Sequence, residues 1–125
     1  MTINDTNNYD KIKEYAIKNR QAIEKLLEID IVKIKDKSIS SELNKFWDEF
    51  EGKYNKIKSG KKANQIFNVY VDLNDGRSVV ITEMDTIEPW FVKIVGVNCE
   101  NGENTLEILN SRNEEPEIVV ELIDL

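Results

Sequence analysis

The fold is decided by residues 66–84, IFNVYVDLNDGRSVVITEM, where apolar and polar side chains alternate on either side of Asp75-Gly76. An alternation with a period of two is the pattern of a β-strand that buries one face. An Asp-Gly pair between two such runs is typical of a two-residue hairpin turn. We therefore predict an antiparallel hairpin whose register places Val71 opposite Val80 on the buried face.

A second hairpin and a last strand are predicted further along the chain. The remaining strands are expected at residues 89–98, 105–110 and 117–123. Asn101-Gly102 marks the turn of the second hairpin, and the register that follows from it pairs Val97 with Leu106. Five strands joined in chain order by short turns predict an antiparallel meander.

Upstream of the strands, apolar residues recur with the period of a helix. A first helix is expected over residues 9–28, and a second begins at Ser40 and Ser41, which are good capping residues. The apolar stripe of the first consists of Ile12, Ala16, Ile23, Leu26 and Leu27. That of the second consists of Leu43, Phe46, Trp47, Phe50, Tyr54 and Ile57. Residues 29–35 fit either a strand or a continuation of the first helix to about Asp36, and we favour the helix.

These elements predict a single α+β domain over residues 1–125. A polar tail, 1–8, precedes a helical part, 9–62, and an antiparallel sheet part, 63–125. We expect the two helices to form an N-terminal hairpin packed on one face of the C-terminal five-stranded meander sheet. The reason is that the apolar face of the first strand needs cover from water.

The composition excludes several kinds of catalytic site. The 125 residues contain no histidine and one cysteine, so Ser-His and Cys-His nucleophile pairs and a zinc site of His and Cys ligands are excluded. The cluster of Glu83, Asp85 and Glu88 lacks the pattern of a calcium loop, and the end of a strand is the simpler interpretation. We therefore predict no enzyme activity, no metal and no cofactor. The lone cysteine and the absence of an apolar signal segment or membrane span predict a protein of the bacterial cytoplasm.

Charge divides the chain into two unlike halves. Residues 1–62 contain 14 Lys and Arg against 11 Asp and Glu, whereas residues 63–125 contain 3 against 13, which gives a net charge of −7. A strongly acidic surface repels nucleic acid and attracts basic proteins, including those that bind nucleic acid. The split therefore predicts a basic protein partner, and neither nucleic acid nor a membrane.

The sheet is where such a partner is expected to bind. Alternate residues of a strand lie about 6.6 Å apart, close to the distance between successive phosphates of a nucleic-acid strand. The predicted partner-binding residues are Asp72, Glu83, Asp85, Glu88, Glu103 and Glu107, with Trp90 as an apolar anchor. The competing interpretation is that these charges only keep a small protein soluble and protect its sheet edges.

A cationic and aromatic group offers a second kind of site. Phe91, Lys93 and Arg112 come together if Arg112 falls opposite Phe91 in the second hairpin. Such a group fits a nucleotide, which would make the chain an oligomeric binder that sequesters a nucleotide signal. Packing under the helices is the structural alternative.

The overall profile resembles two groups of small acidic inhibitors. These are the anti-CRISPR and other anti-defence proteins of phages and mobile elements, and the immunity proteins that neutralise nuclease toxins. The shared features are size, acidic charge, a composition rich in Lys, Asn and Ile, and the lack of a catalytic motif. The resemblance implies a non-enzymatic inhibitor that mimics nucleic acid. A homodimer or higher oligomer is a further expectation if part of the apolar stripe of the second helix, Phe46, Trp47, Phe50 and Tyr54, is exposed.

Overall fold

The computed structural model describes residues 2–29, 34, 39–112 and 117–125, with side chains from Tyr9 onward. Its helices are α1 (Thr2–Lys18), α2 (Arg20–Leu27) and α3 (Ser41–Lys58). Its strands are β1 (Gln65–Asp72), β2 (Ser78–Ile87), β3 (Phe91–Asn98), β4 (Asn104–Asn110) and β5 (Ile118–Asp124). The α+β class and all five predicted strands are therefore confirmed.

The first predicted helix is present but is divided at Asn19. Asn19 has a φ of −111° and a ψ of 21°, and both its side-chain amide and its backbone N–H donate to the carbonyl of Tyr15, at 2.8 Å and 3.0 Å. The helix also begins at Thr2, so residues 2–8, which the sequence analysis assigned to a polar tail, are helical. No glycine or proline interrupts residues 1–18, which removes the usual reason for a helix to start later. All five residues of the predicted stripe are buried.

The second predicted helix is confirmed as α3. Ser40 caps it, with its hydroxyl accepting a hydrogen bond of 3.2 Å from the backbone N–H of Leu43. The stripe contributes Trp47, the largest fully buried side chain. The interpretation of residues 29–35 falls largely outside the described residues, of which Ile34 is helical.

The sheet has the order β4-β3-β2-β1-β5, and every neighbouring pair is antiparallel. Strands β1 to β4 form the predicted meander. The predicted place of β5 beside β4 is wrong. Strand β5 pairs with β1 instead, from Gln65↔Asp124 to Val71↔Ile118. A complete meander would leave β1, in which four of eight residues are buried, with unpaired backbone groups at an edge.

The register of the first hairpin is shifted by one residue from the prediction. Val71 lies opposite Val79 instead of Val80. The loop has three residues, 74–76, with Gly76 at a φ of 93°. A type I turn followed by a left-handed glycine closes such a loop and adds one residue to the two-residue turn that Asp-Gly suggests.

The pairing of β1 with β2 also ends early. It is confined to the three residue pairs next to the turn, after which β2 contains a bulge between Ile81 and Glu83. The expected continuation of this hairpin over the full length of both strands is therefore wrong. Beyond the bulge β2 pairs with β3 alone, and the half of β1 before Tyr70 pairs with β5 alone.

The second hairpin is shifted by two residues. Leu106 lies opposite Val95 instead of Val97, because Asn98 N donates to Glu103 O at 2.8 Å and closes a longer loop. A shift of two leaves every side chain on its predicted side of the sheet. It moves Arg112 beyond the end of β4, however, so the predicted pairing of Arg112 with Phe91 is wrong.

The helices cover both sides of the sheet. Tyr9 of α1 donates to Glu121 of β5 at 2.9 Å, and the amide of Asn68 donates to the same carboxylate at 3.0 Å. Tyr54 of α3 packs on Phe67, with ring centroids 5.4 Å apart. Because neighbouring residues of a strand point to opposite sides, α1 and α3 lie on opposite sides of β1. The helices do pack on the sheet, but the expectation of a hairpin on one face is wrong.

This arrangement follows from the two-sided burial of β1. Ile66 and Val69 point to opposite sides of the strand, and both are fully buried. A pair of helices on one face would leave one of these side chains in water, at a cost of about 1.5–3 kcal/mol. The alternation in 66–73 predicted a strand buried on one side, whereas β1 is buried on both sides and is central to the core.

Candidate protein-binding face

One side of β2, β3 and β4 beyond the bulge forms a surface that we call the outward face. The paired residues fall into three rows across the strands. These rows are Glu83, Val95 and Leu106; Asp85, Lys93 and Ile108; and Ile87, Phe91 and Asn110. The bulge sets their orientation, because it inserts one residue and turns Glu83 and Asp85 to this side.

The acidic part of the outward face lies on β2. The side chains of Glu83 and Asp85 are exposed, and neither forms an ion pair with another described residue. Their positions two residues apart place them about 6.6 Å from each other along the strand. Asp85 Oδ1 accepts a 2.8 Å hydrogen bond from the backbone N–H of Thr86, so its other oxygen and the Glu83 carboxylate are left to accept hydrogen bonds from an external cationic group.

The apolar part lies mainly on β4. Leu106 is 57% exposed, Ile108 is 49% exposed, and Ile87 at the end of β2 is 44% exposed. Exposed apolar side chains that adjoin one another, bordered by charge, are typical of protein-binding surfaces. The outward face therefore combines two free carboxylates with an apolar strip two strands away.

Four of the six predicted partner-binding carboxylates lie away from the outward face, and three of these lie at strand ends or in loops. Asp72 is at the turn end of β1, where it accepts a 2.6 Å hydrogen bond from Ser78. Glu103 lies in the loop before β4. Glu88 follows β2 and accepts a 3.1 Å hydrogen bond from the backbone N–H of Ser40. The structure thus separates residues that the sequence grouped by charge alone.

Glu107 lies on the opposite side of β4 and is already engaged. Arg77 donates to it from Nη1 at 2.9 Å and from Nη2 at 3.1 Å, and Thr105 donates at 2.6 Å. The Arg77 guanidinium, followed by the Thr105 hydroxyl, lowers the pKa of the Glu107 carboxyl. Its charge is therefore neutralised within the chain, and Glu107 is a poor candidate for partner binding.

The predicted aromatic anchor and the ligand trio are also redistributed. The guanidinium of Arg112 lies 4.2 Å from the ring centroid of Trp90, and its Nε is 3.9 Å from Glu42. Phe91 and Lys93 belong to the outward face, two residues apart on β3. Arg112 thus contacts Trp90 and Glu42 of α3, and it does not lie with Phe91 and Lys93 as predicted.

The apolar residues Leu106 and Ile108 were not among the binding residues predicted from the sequence. In 104–110 the alternation places Leu106 and Ile108 on one side and Glu107 and Leu109 on the other. Leu109 is buried, whereas the side chains of Leu106 and Ile108 are about half exposed among the described residues. The alternation of that segment was the available signal that Leu106 and Ile108 share one side of the strand. That this side is exposed follows only from the position of β4 at an edge of the sheet.

A cavity of about 220 Å³ lies on the other side of the sheet, beneath α3. Phe46, Phe50, Val92, Leu109 and Ile118 form its apolar walls. At its border Lys53 donates to the Ile118 carbonyl at 2.6 Å and lies 3.2 Å from Glu117. These contacts tie α3 to the start of β5 and indicate a structural role.

The described residues show neither a metal cluster nor a membrane helix. No three Asp, Glu or Cys side chains among them are placed to hold an ion. None of the described helices is long and apolar enough to cross a bilayer. Comparisons with protein-family models, curated proteins and solved structures find no match to this chain.

Proposed function

We propose that this chain is a non-enzymatic inhibitor that binds a basic, nucleic-acid-handling protein through the outward face. The observation that carries the proposal is the pair of exposed carboxylates, Glu83 and Asp85, which form no ion pair with a described residue and share a surface with Leu106 and Ile108. Charged groups on an exposed sheet are usually balanced by neighbours, as Glu107 is by Arg77.

The proposed mechanism is exclusion of nucleic acid from the partner. The carboxylates of β2 occupy positions that the partner uses for phosphates, and the apolar strip of β4 packs on adjacent apolar surface of the partner. Attraction between an acidic protein with a net charge of −7 and a basic channel accelerates association, and the rate falls as salt increases. Truncating the carboxylates would then slow association more than it speeds dissociation.

Two biological settings share this chemistry. An anti-defence protein, such as an anti-CRISPR protein, would block a host effector, and an immunity protein would block a nuclease toxin. Both act in the bacterial cytoplasm and both need the same acidic surface. The identity of the captured partner distinguishes them.

The test is affinity capture from a bacterial lysate at about 0.1 M and about 0.5 M salt, conditions that separate screened from unscreened charge interactions. The Glu83→Gln/Asp85→Asn variant removes two charges and keeps the shapes of the side chains. Asp10→Asn/Glu100→Gln is the matched control, since it changes the net charge equally at exposed positions outside the outward face.

We expect wild type and control to retain a nucleic-acid-binding protein at low salt, and the Glu83→Gln/Asp85→Asn variant to lose it. Titration with the identified partner should then show at least a tenfold weaker affinity for that variant. Equal capture by all three proteins, or equal loss in the control, would show that these two carboxylates do not form the binding surface.

A further inference from the structure

Strand β4 is an edge of the sheet, and its free backbone groups can be assigned. The hydrogen bonds from Asn98 N to Glu103 O and from Ser111 N to Trp90 O fix the alternation of the β3–β4 ladder. The backbone groups that face away from β3 belong to Asn104, Leu106, Ile108 and Asn110. The backbone N–H and C=O groups that point away from β3 thus include those of Leu106 and Ile108, the two residues whose apolar side chains are exposed.

The strand lacks most of the usual protection of an edge, and its one inward charge, Glu107, is paired with Arg77. Natural proteins guard edge strands with lysine, proline, a bulge or inward charge. The sequence of β4, NTLEILN, contains no lysine, arginine or proline, and its pairing with β3 is regular over all seven residues. An edge of this kind is a template for another strand.

Its charge favours a copy of the same chain over a basic protein. The only charge on β4 is Glu107, and the bidentate contact with Arg77 neutralises it. The opposite edge, β5, contains Glu121 and Asp124. A second chain of net charge −7 therefore meets less repulsion at β4 than at β5, whereas a basic protein gains no electrostatic attraction by pairing its backbone with this neutral edge.

We propose that β4 pairs antiparallel with β4 of a second copy, about a twofold axis at Glu107. In this register Leu106 lies opposite Ile108 of the partner subunit, and both residues present free backbone groups, as a hydrogen-bonded pair requires. A twofold interface must be self-complementary, and this one joins two apolar pairs by symmetry. The inference needs neither Glu83 nor Asp85, although Leu106 and Ile108 also belong to the outward face of the proposed function.

Sedimentation equilibrium between about 5 μM and about 500 μM, a range that spans weak and moderate dimers, tests the proposal. Ile108→Pro removes an outward N–H without removing a bond to β3, which an edge strand tolerates. Leu106→Lys places a charge on the edge strand at an exposed site, which disfavours pairing with another strand. It is the second test variant if Ile108→Pro does not fold. Ile87→Lys is the control, being an exposed apolar residue of the outward face on β2.

Wild type and Ile87→Lys should dimerise, and both β4 variants should raise the dissociation constant at least tenfold while circular dichroism shows a folded chain. A monomeric wild type at about 500 μM overturns the proposal, as does a dimer that only Ile87→Lys weakens.

The register has its own test. Asn104→Cys/Asn110→Cys places thiols opposite one another across the proposed axis, so mild oxidation should link the chains in pairs. Either single variant should link far less. Cross-linking that is equal in the single and double variants would overturn this register. The buried native thiol of Cys99 does not interfere.

Discussion

Arg77 and Glu107 join the start of β2 to β4 across β3, through a bidentate contact of 2.9 Å and 3.1 Å. Arg77 also holds Asp75 of its own turn at 2.9 Å, so one guanidinium links the first hairpin loop to the edge strand. The contact removes Glu107 from the acidic surface and makes the edge locally neutral. Two functional consequences thus follow from one ion pair.

Replacing Glu107 should change how stability depends on pH. Arg77 lowers the pKa of Glu107 below its ordinary value of 4.5, so its stabilising contribution is present above about pH 4.5 and is lost as the pH falls through the folded-state pKa. Glu107→Gln should therefore reduce the free energy of unfolding at pH 7, and the difference from wild type should shrink towards pH 3. Urea unfolding across this range measures it, with exposed Glu103→Gln as the control. A difference that is constant with pH would contradict the assignment.

Gly96 should be intolerant of any side chain. A Cβ at this position would lie 2.1 Å from the backbone O of Val80 and 2.9 Å from a methyl group of Val79. We expect Gly96→Ala to destabilise the protein by about 3 kcal/mol or more, because backbone of the neighbouring strand must move.

Gly52→Ala is the matched comparison, since nothing lies within 4 Å of its Cβ and Gly52 lies within α3. Alanine favours a helix, so this change should stabilise the protein by about 0.5–1 kcal/mol. Thermal unfolding of the two variants should shift in opposite directions, and a common direction would refute the packing described around Gly96.

Alkaline pH should unfold the protein partly through Tyr9. Burial, and then the hydrogen bond to Glu121, raise the pKa of Tyr9 above its ordinary value of 10.0. The stabilising contribution is fully present below pH 10 and is lost as the pH rises, because the unfolded chain ionises first. Tyr9→Phe should cost about 1 kcal/mol at pH 7 and show a flatter decline above pH 10. Equal slopes for wild type and variant would show that Tyr9 is not linked to folding.

The thiol of Cys99 should be unreactive in the native protein. Burial raises its pKa to about 11, from an ordinary value of 9.0. The thiolate is the nucleophile, so its population at pH 8 falls about 100-fold. Reaction with a disulfide reagent should be slow until urea unfolds the chain, and then reach the rate of a free thiol. Rapid labelling of the folded protein would contradict the burial of Cys99.

The residues that carry a local signal were predictable. Ser40 stands before an apolar stripe of helical period, and the structure shows it as the cap of α3. Alternation identified the strands, and Asp75-Gly76 located the first turn. The number of residues in that turn was not predictable from the Asp-Gly pair, because two- and three-residue loops both accept glycine at a positive φ.

The candidate site was predictable only as a set of charges. Glu83, Asp85 and Glu107 look alike in the sequence, yet two are free on the outward face and the third is held by Arg77. The bulge before Glu83 and the two-residue shift of β4 decide these surroundings. The bulge and the register shift both depend on how neighbouring strands pack together, and the sequence of one strand alone does not determine that packing.

The sequence by itself determined the elements, the buried stripes, the absence of histidine chemistry and the acidic second half. Each of these depends on residue type and on spacing within one segment. The tertiary structure alone decided that β5 pairs with β1, that α1 and α3 lie on opposite sides of β1, and that Leu106 and Ile108 stand on an open edge. These depend on which segments compete for the same backbone groups and the same core, and that competition is resolved only when the whole chain is folded.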